Sequence, residues 1–220
     1  MKNHLRELLV ARNFSAIQEM ASRHRRTLSF LTALTYDDDP LIGWRAVEAI
    51  GLAAARIADE DDPEYVRVHL RRMQWLLNDE SGGIGWHLPE AMAEIIYHRP
   101  HLFAEFVPIV ISLFDMEEED VAKFRPGILW AVGRLAQIFP PERMSPARPW
   151  VVPCLDSPDP QTRGMAVWCL SHLGDTQPLS DRPALQTDPA TVVLYHHGQL
   201  VRHPVAELVQ KALRGLEIGD

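Results

Sequence analysis

LDSPDPQTRGMAVWCLSHLGD, residues 155–175, decides how the rest of the chain is read. A turn of aspartates and prolines leads into an apolar run of helical length that opens on Arg163. The same order (a short apolar stretch, an acidic turn, then a helix starting on an aromatic or basic residue) occurs at 34–51, 76–93, 113–133 and 154–171. The register is kept. Arg45, His87, Arg125 and Arg163 follow one another at 42, 38 and 38 residues, and Trp44, Trp86 and Phe124 stand immediately before the first three. Met92, Trp130 and Trp168 form a second ladder with the same 38-residue step. Self-similarity at a period of roughly 40 residues marks stacked helix pairs, since one pair cannot bury its apolar face alone.

Working outward, residues 1–24 read as an N-terminal cap, with Leu5, Leu8, Leu9, Phe14, Ile17 and Met20 at helical spacing opposite a basic face of Arg6, Arg12 and Arg23. Residues 25–175 hold four clear repeats. Their helices are predicted at 27–35 and 41–58, 65–77 and 84–98, 102–114 and 124–139, and 147–155 and 161–173. Pro40 suits a first helical turn, where its missing N–H is not needed. Residues 176–220 form a weaker fifth unit that ends in a helix over 205–216, as expected of a terminal repeat with one face to water. The chain of 220 residues is thus predicted to be a single all-α domain, a right-handed α-α superhelix of the solenoid kind with about five helix pairs.

The formal net charge of −8 disfavours general affinity for phosphate backbones or anionic membranes. The cysteines, Cys154 and Cys169, have neither zinc-knuckle nor redox-pair spacing and read as buried thiols of a reducing compartment. With no signal-peptide core near the N-terminus and no apolar stretch of about 18 residues, a cytoplasmic location without membrane association is expected.

The segment at 155–175 closely resembles the HEAT repeat, particularly the short kind named after phycobiliprotein lyases, and the resemblance extends over about residues 25–175. It implies a HEAT/armadillo-like fold with an aspartate of the turn and an arginine of the second helix in hydrogen-bonded ladders. Asp156 with Arg163 and Asp39 with Arg45 take those places, while His87 and the longer 116–120 insertion interrupt the pattern. The stretch NDESGGIGWHLPEA, residues 78–91, is unlike a generic HEAT turn and resembles a group of uncharacterised bacterial HEAT-repeat proteins.

Candidate sites come with a structural alternative each. Gly82, Gly83 and Gly85 offer backbone N–H groups to an anion ahead of a helix, or else form a tight turn; no lysine follows, and Asp79 and Glu80 repel phosphate. Trp86, Glu90 and Glu94, at i, i+4 and i+8, and Trp44 with Glu48 in the preceding repeat, define an aromatic and acidic strip suited to a basic peptide or protein. The alternative is tryptophans packed between repeats and glutamates paired with Arg45 and His87. Trp130 with Arg134, and Trp168 with His172, are aromatic–basic pairs in successive repeats that suit base stacking beside phosphate, or core packing. The HEAT-like alkylpurine DNA glycosylases resemble the chain in architecture, without a motif that transfers a catalytic residue. His98 with His101, and His196, His197 and His203, lack metal-ligand spacing, and the acidic runs at 37–39, 59–62 and 115–120 lack the oxygen pattern of a calcium loop.

No nucleophile elbow, Cys–His pairing or carboxylate dyad emerges, so the sequence gives no reason to expect an enzyme, cofactor or metal. The expected function is a non-catalytic scaffold that binds a protein or peptide, basic in character, on Trp44, Glu48, Trp86, Glu90 and Glu94. The alternative is a nucleic-acid-binding or DNA-repair protein using Trp130, Arg134, Trp168 and His172. A lyase-like chaperone for a prosthetic group is suggested only by the name of the repeat class.

Overall fold

The computed structural model describes residues 1–60, 62–77, 86–115 and 118–218, with side chains from 122 onward in the last segment. The glycine-rich turn at 78–85 and residues 116–117 of the acidic run lie outside the described residues, as do the side chains at 118–121. The chain divides into two compact units, Met1–Val110 and Ile111–Asp220.

In the first unit the order is α1 (Lys2–Val10), α2 (Phe14–Arg23), α3 (Thr27–Leu34), α4 (Pro40–Asp59), α5 (Pro63–Leu77), α6 (Leu88–His98) and the short α7 (Pro100–Phe103). The predicted cap is thus two helices, broken at Arg12, whose φ of 52° is left-handed. Asn13 then caps α2 by accepting the Ala16 N–H. α4 begins where its sequence says it must: the Asp39 carboxylate accepts the Leu41 N–H at 2.9 Å and Pro40 fills the first helical position. It packs against α2, α3 and α6, so most of its length is buried, with Ala46, Ile50, Ala53 and Ala54 at the centre.

α8 (Val107–Ser112) crosses the boundary between the units. The second unit continues with α9 (Glu118–Ala136), α10 (Pro141–Met144), α11 (Arg148–Val151), α12 (Pro160–His172), α13 (Gln177–Ser180), β1 (Thr191–His196), β2 (Gln199–Pro204) and α14 (Val205–Leu213). The first helices predicted at 102–114 and 147–155 are instead strings of short α and 3-10 segments. Pro108, Pro149 and Pro153 account for this, each removing a backbone donor from within a helix of the predicted length.

The fifth unit departs most from expectation. Residues 179–204 contain no long helix; an antiparallel hairpin pairs Thr191 with Pro204 through to His196 with Gln199. Its two-residue turn, His197-Gly198, has φ of 46° and 74°, the two positive values a type I′ turn needs. Val192 and Leu194 point into the core, and Gly164 of α12 makes room: a Cβ there would lie 2.5 Å from Val192 Cβ. The Gln161 side chain both donates to the Val193 carbonyl and accepts its N–H, at 2.8 and 2.9 Å, so an amide from α12 covers the edge of β1.

Polar side chains join segments distant in sequence, by 31–40 residues in the first unit and 25–27 in the second. In the first unit Arg6 grips Asp37 through two hydrogen bonds, Arg25 pairs with Asp62, Arg99 with Asp59, and Arg67 reaches both Glu105 and the Leu102 carbonyl. In the second unit Arg182 grips Asp156, Arg163 grips Asp188, and Arg148 pairs with Asp175. Asp156 and Arg163, placed in the inter-repeat ladder by the HEAT resemblance, each bond to a more distant segment, Asp156 to Arg182 and Arg163 to Asp188. Asp39 serves as a helix cap, while Arg45, 6% exposed, donates to the Leu9 and Val10 carbonyls at the end of α1. The acidic runs at 37–39 and 59–62 thus supply ion pairs as well as solvated surface. Among the described residues no helix is long and apolar enough to cross a membrane.

Buried His69 forms another such link. Its Nε2 lies 3.1 Å from the Thr32 hydroxyl, which donates its own hydrogen to the Leu28 carbonyl, so His69 is the donor and carries its proton on Nε2. Burial, with Arg72 adding a smaller push, lowers the imidazole to about 4. The folded state holds the ring neutral while the unfolded chain takes up a proton near pH 6.5. Stability contributed by neutral His69 is full above about 6.5 and lost as pH falls toward 4, by roughly 2 kcal/mol at pH 5. His69→Gln, which keeps an N–H for Thr32, should flatten the dependence of melting temperature on pH between 7 and 5. An unaltered slope would mean that His69 is already charged in the native state.

Gly133 of α9 supplies a second test. A Cβ there would fall 2.3 Å from the Trp168 ring and 3.1 Å from Cys169 Cα, so the two helices touch at that point. Gly133→Ala gains helix propensity of about 1 kcal/mol, but overpacking against a buried indole outweighs it. The expected outcome is net destabilisation of about 1–2 kcal/mol by denaturant unfolding. Combining it with Trp168→Phe, which removes the clashing ring edge, should cost less than the sum of the two single substitutions.

Candidate functional site

The aromatic and acidic strip lies within the first unit, where α4 and α6 pack together. Trp44 and Glu48, one turn apart on α4, are both partly exposed. Trp86 does not continue the line on α6, since that helix starts only at Leu88; it stands in the preceding turn with its indole 49% exposed. The turn is held from two sides. The Thr35 hydroxyl shares its one hydrogen between the Trp86 carbonyl at 2.9 Å and the Thr32 carbonyl at 2.8 Å, and His87, left-handed at φ 58°, tucks its ring 4.9 Å from that of Trp44. Gly43 sits beneath this arrangement, where a Cβ would approach the Thr35 carbonyl to 3.1 Å and the His87 ring to 3.7 Å.

Glu90 and Glu94 do share a face of α6, but that face is buried, at 4% and 3% exposure. Each carboxylate has a histidine beside it: Glu90 Oε1 lies 2.8 Å from His87 Nδ1, and Glu94 Oε2 lies 3.2 Å from His98 Nε2. Burial of a carboxylate is costly unless it is paired; the Glu90–His87 contact is a hydrogen bond, whereas Glu94 and His98 stand at ion-pair distance without a hydrogen bond between them. Gly51 of α4 fixes the second one, since a Cβ there would meet the His98 ring at 2.7 Å and Glu94 Cβ at 2.9 Å. The surface members of the strip are therefore Trp44, Glu48 and Trp86, and the buried glutamates position the turn and helix beneath them.

His87 titrates under opposed influences. Burial is the largest single one and disfavours the cation, but the charge of Glu90 and its hydrogen bond together exceed it and hold the imidazole above its ordinary value. The paired, protonated form thus stabilises the fold below about pH 6.5, a contribution lost as pH rises through the raised native value.

In the second unit Trp130 and Trp168 stack with ring centroids 6.0 Å apart and planes 2° from parallel, at 5% and 3% exposure. The Trp168 Nε1–H donates to the Ile218 carbonyl at 2.7 Å, which satisfies the indole internally. His172 meets Trp168 edge-on at 4.4 Å, and Arg134 donates to Gln137, which in turn neighbours His172. The faces that a base would stack on are occupied by each other. Burial raises the thiols of Cys154 and Cys169 above their ordinary range. No group of three or more His, Cys, Asp or Glu side chains among the described residues has the geometry to hold a metal ion.

Sequence reasoning did not find Thr35, Gly43 or His98 as supports of this region, nor Trp75, 64% exposed on α5. The spacings His87-x-x-Glu90 and Glu94-x-x-x-His98 place each pair within one helical turn and were the available signal.

A HEAT-like repeat profile matches residues 122–173, the span from α9 through α12. An uncharacterised protein of Archaeoglobus fulgidus is 26% identical over 182 residues, 82% of this chain and 92% of that protein. Among solved structures, a designed armadillo repeat protein in complex with the peptide (KR)4 is 20% identical, covers 94% of this chain and 91% of its own, and gives a TM-score of 0.53. The archaeal HEAT-like repeats protein from Thermococcus onnurineus NA1 is 16% identical, covering 100% of this chain and 83% of its own, with a TM-score of 0.41. The match to a HEAT-like repeat covers residues 122–173, and the fold class is the all-α helical repeat of the HEAT/armadillo kind, with the 191–204 hairpin as its departure.

Glu90→Leu should cost about 3 kcal/mol in thermal or denaturant unfolding, because it strands the His87 ring beside a buried apolar side chain. Glu90→Gln, which keeps an acceptor oxygen, should cost less than half as much and lower the pKa of His87 as read by NMR. Equal melting of all three proteins would remove Glu90 from the structural framework.

Proposed function

We propose that the chain is a non-catalytic scaffold that binds a protein or peptide, basic in character, on the surface formed by Trp44, Glu48 and Trp86. The observation that carries this reading is the half-exposed Trp86 indole, fixed at its backbone by Thr35 and flanked by the Trp44–His87 contact. A large aromatic held rigidly at a surface loses little entropy on binding and is the residue type that dominates interface energetics. Glu48, one turn from Trp44 on α4, and a formal net charge of −8 over the chain favour cationic partners over anionic ones. The likeness to a designed armadillo repeat protein in complex with (KR)4 supports peptide binding as a use to which such a fold lends itself. A nucleic-acid reading finds less support, since Trp130 and Trp168 are stacked on each other in the core of the second unit.

An alternating lysine–arginine octapeptide, labelled and followed by fluorescence polarisation, tests the proposal. Binding should weaken at least tenfold in Trp86→Ala and severalfold in Glu48→Gln, with melting temperatures close to wild type for both. A pull-down from lysate with the wild type and Trp86→Ala, read by mass spectrometry and by nucleic-acid staining, covers partners unlike the probe. Retention of nucleic acid alone, equal for both proteins, would overturn the scaffold reading in favour of nucleic acid.

A further inference from the structure

A cavity of about 420 Å³ in the second unit is lined by Phe114, Arg125, Trp150, Cys154, Ser157 and neighbouring prolines. Its volume falls within the range of small-molecule sites. The Phe114 and Trp150 rings lie parallel, 4° apart in plane with centroids at 6.4 Å, and Trp150 stays 42% exposed, so an aromatic face remains open beside a packed one. Pro149, Pro153 and Pro158 complete the wall, a lining with little conformational freedom to lose when it is covered.

Arg125 sets this cavity apart. It holds the register position of Arg45, which donates to the carbonyls of Leu9 and Val10, and of Arg163, which grips Asp188 and the carbonyls of Ser157 and Pro158. Among the described residues the Arg125 side chain makes no hydrogen bond or ion pair; its registered neighbours are the cavity groups, including the Cys154 thiol on which its charge acts. The one carboxylate in the lining, Asp156, is already held by two hydrogen bonds from Arg182. The Ser157 hydroxyl accepts the Asp159 N–H at 3.2 Å and keeps its own hydrogen to donate. In the adjacent cavity, around Leu155, Arg163, Arg182 and Asp188, each of these charges is matched within the protein.

We propose that this cavity binds a small organic anion with a flat apolar body, an aromatic carboxylate in chemical class, its charged group on Arg125 and Ser157 and its ring on Trp150. A guanidinium offers a planar fork that fits a carboxylate, and such charge-assisted bonds are about twice as strong as neutral ones. The tryptophan face and proline wall account for the apolar body. This site is independent of the surface around Trp86, and either can fail without the other.

Titration calorimetry with 2-naphthoate and with its neutral carboxamide provides the test, using the full chain. Wild type should bind the acid with one-to-one stoichiometry and at least ten times more tightly than the amide. Arg125→Gln should remove that preference, Trp150→Ala should weaken both ligands, and Arg72→Gln, an exposed arginine elsewhere, should change neither. No binding of the acid at millimolar concentration, equal affinity of wild type for acid and amide, or an acid preference retained in Arg125→Gln would each overturn the proposal. The comparison of acid with amide needs only the wild-type protein, so it stands even if a variant fails to fold.

Discussion

Both units are organised by the close approach of two helices across a glycine. In the first, Gly51 brings α4 onto α6; in the second, Gly133 brings α9 onto α12, and each leaves no room for a methyl group. Once the backbones are that close, whatever faces the glycine is withdrawn from solvent. That is why Glu94 is inside the first unit, with His98 partly buried beside it, and why Trp168, opposite Gly133, is core. The burial of Glu94 follows from this geometry, and the nearby imidazole follows from the burial, since a carboxylate in such a place needs a partner. Gly164 repeats the device between α12 and β1, and the hairpin could not dock where it does beneath a larger residue.

The polar pairs between distant segments have a different weight. Most join exposed or partly exposed side chains, and such pairs contribute little stability in water. Their carboxylates nevertheless titrate low: hydrogen bonds from Arg6, Arg99 and Arg182 hold Asp37, Asp59 and Asp156 below the ordinary range. The stability they lend is present at neutral pH and disappears in acid below about pH 4, below the range in which His69 acts. What these pairs supply is register. Where proline has broken the first helix of a repeat into short segments, less continuous apolar surface specifies how that repeat stacks, and a two-pronged arginine sets the alignment. Arg45 is the exception: buried against the carbonyl end of α1, it satisfies acceptors that the helix itself leaves open.

How much of this was legible in sequence differs by element. The helices at Pro40–Asp59 and Pro160–His172 were, almost to the residue, because Asp39-Pro40 and Asp159-Pro160 mark starts by chemistry as well as by pattern, whereas the helices expected from 84 and from 124 begin at Leu88 and Glu118. The broken first helices were not, although their prolines stood in plain view; the repeat period outweighed local propensity in that reading. The hairpin was missed for the same reason, since Val192-Val193-Leu194-Tyr195 and the His197-Gly198 turn are strand and turn signals. At the site, spacing showed which side chains share a helix face and could not show whether that face meets water. Glu90 and Glu94 are aligned as expected and lie on the inside, because burial is decided by Gly51 on another helix. Trp86 remains outside because α6 starts two residues after it, a boundary no periodicity specifies.

The four residues of the first ladder show why register fixes place and leaves role open. Arg45, His87, Arg125 and Arg163 sit at equivalent points of the sequence, yet one meets helix-end carbonyls, one a carboxylate three residues on, one a cavity and one a distant aspartate. Arg45 and Arg163 take partners from other segments and His87 from the helix it caps, so the repeat alone does not encode them. A cation at such a point is structural when an acceptor lies within reach, as Leu9, Glu90 and Asp188 do. Where the adjoining surface brings an indole face, prolines and an aspartate already engaged by Arg182, the same position becomes a place for an anion from outside. Repetition thus gives this chain a row of equivalent positions, and the irregular segments between the long helices determine which of them are filled by the protein itself.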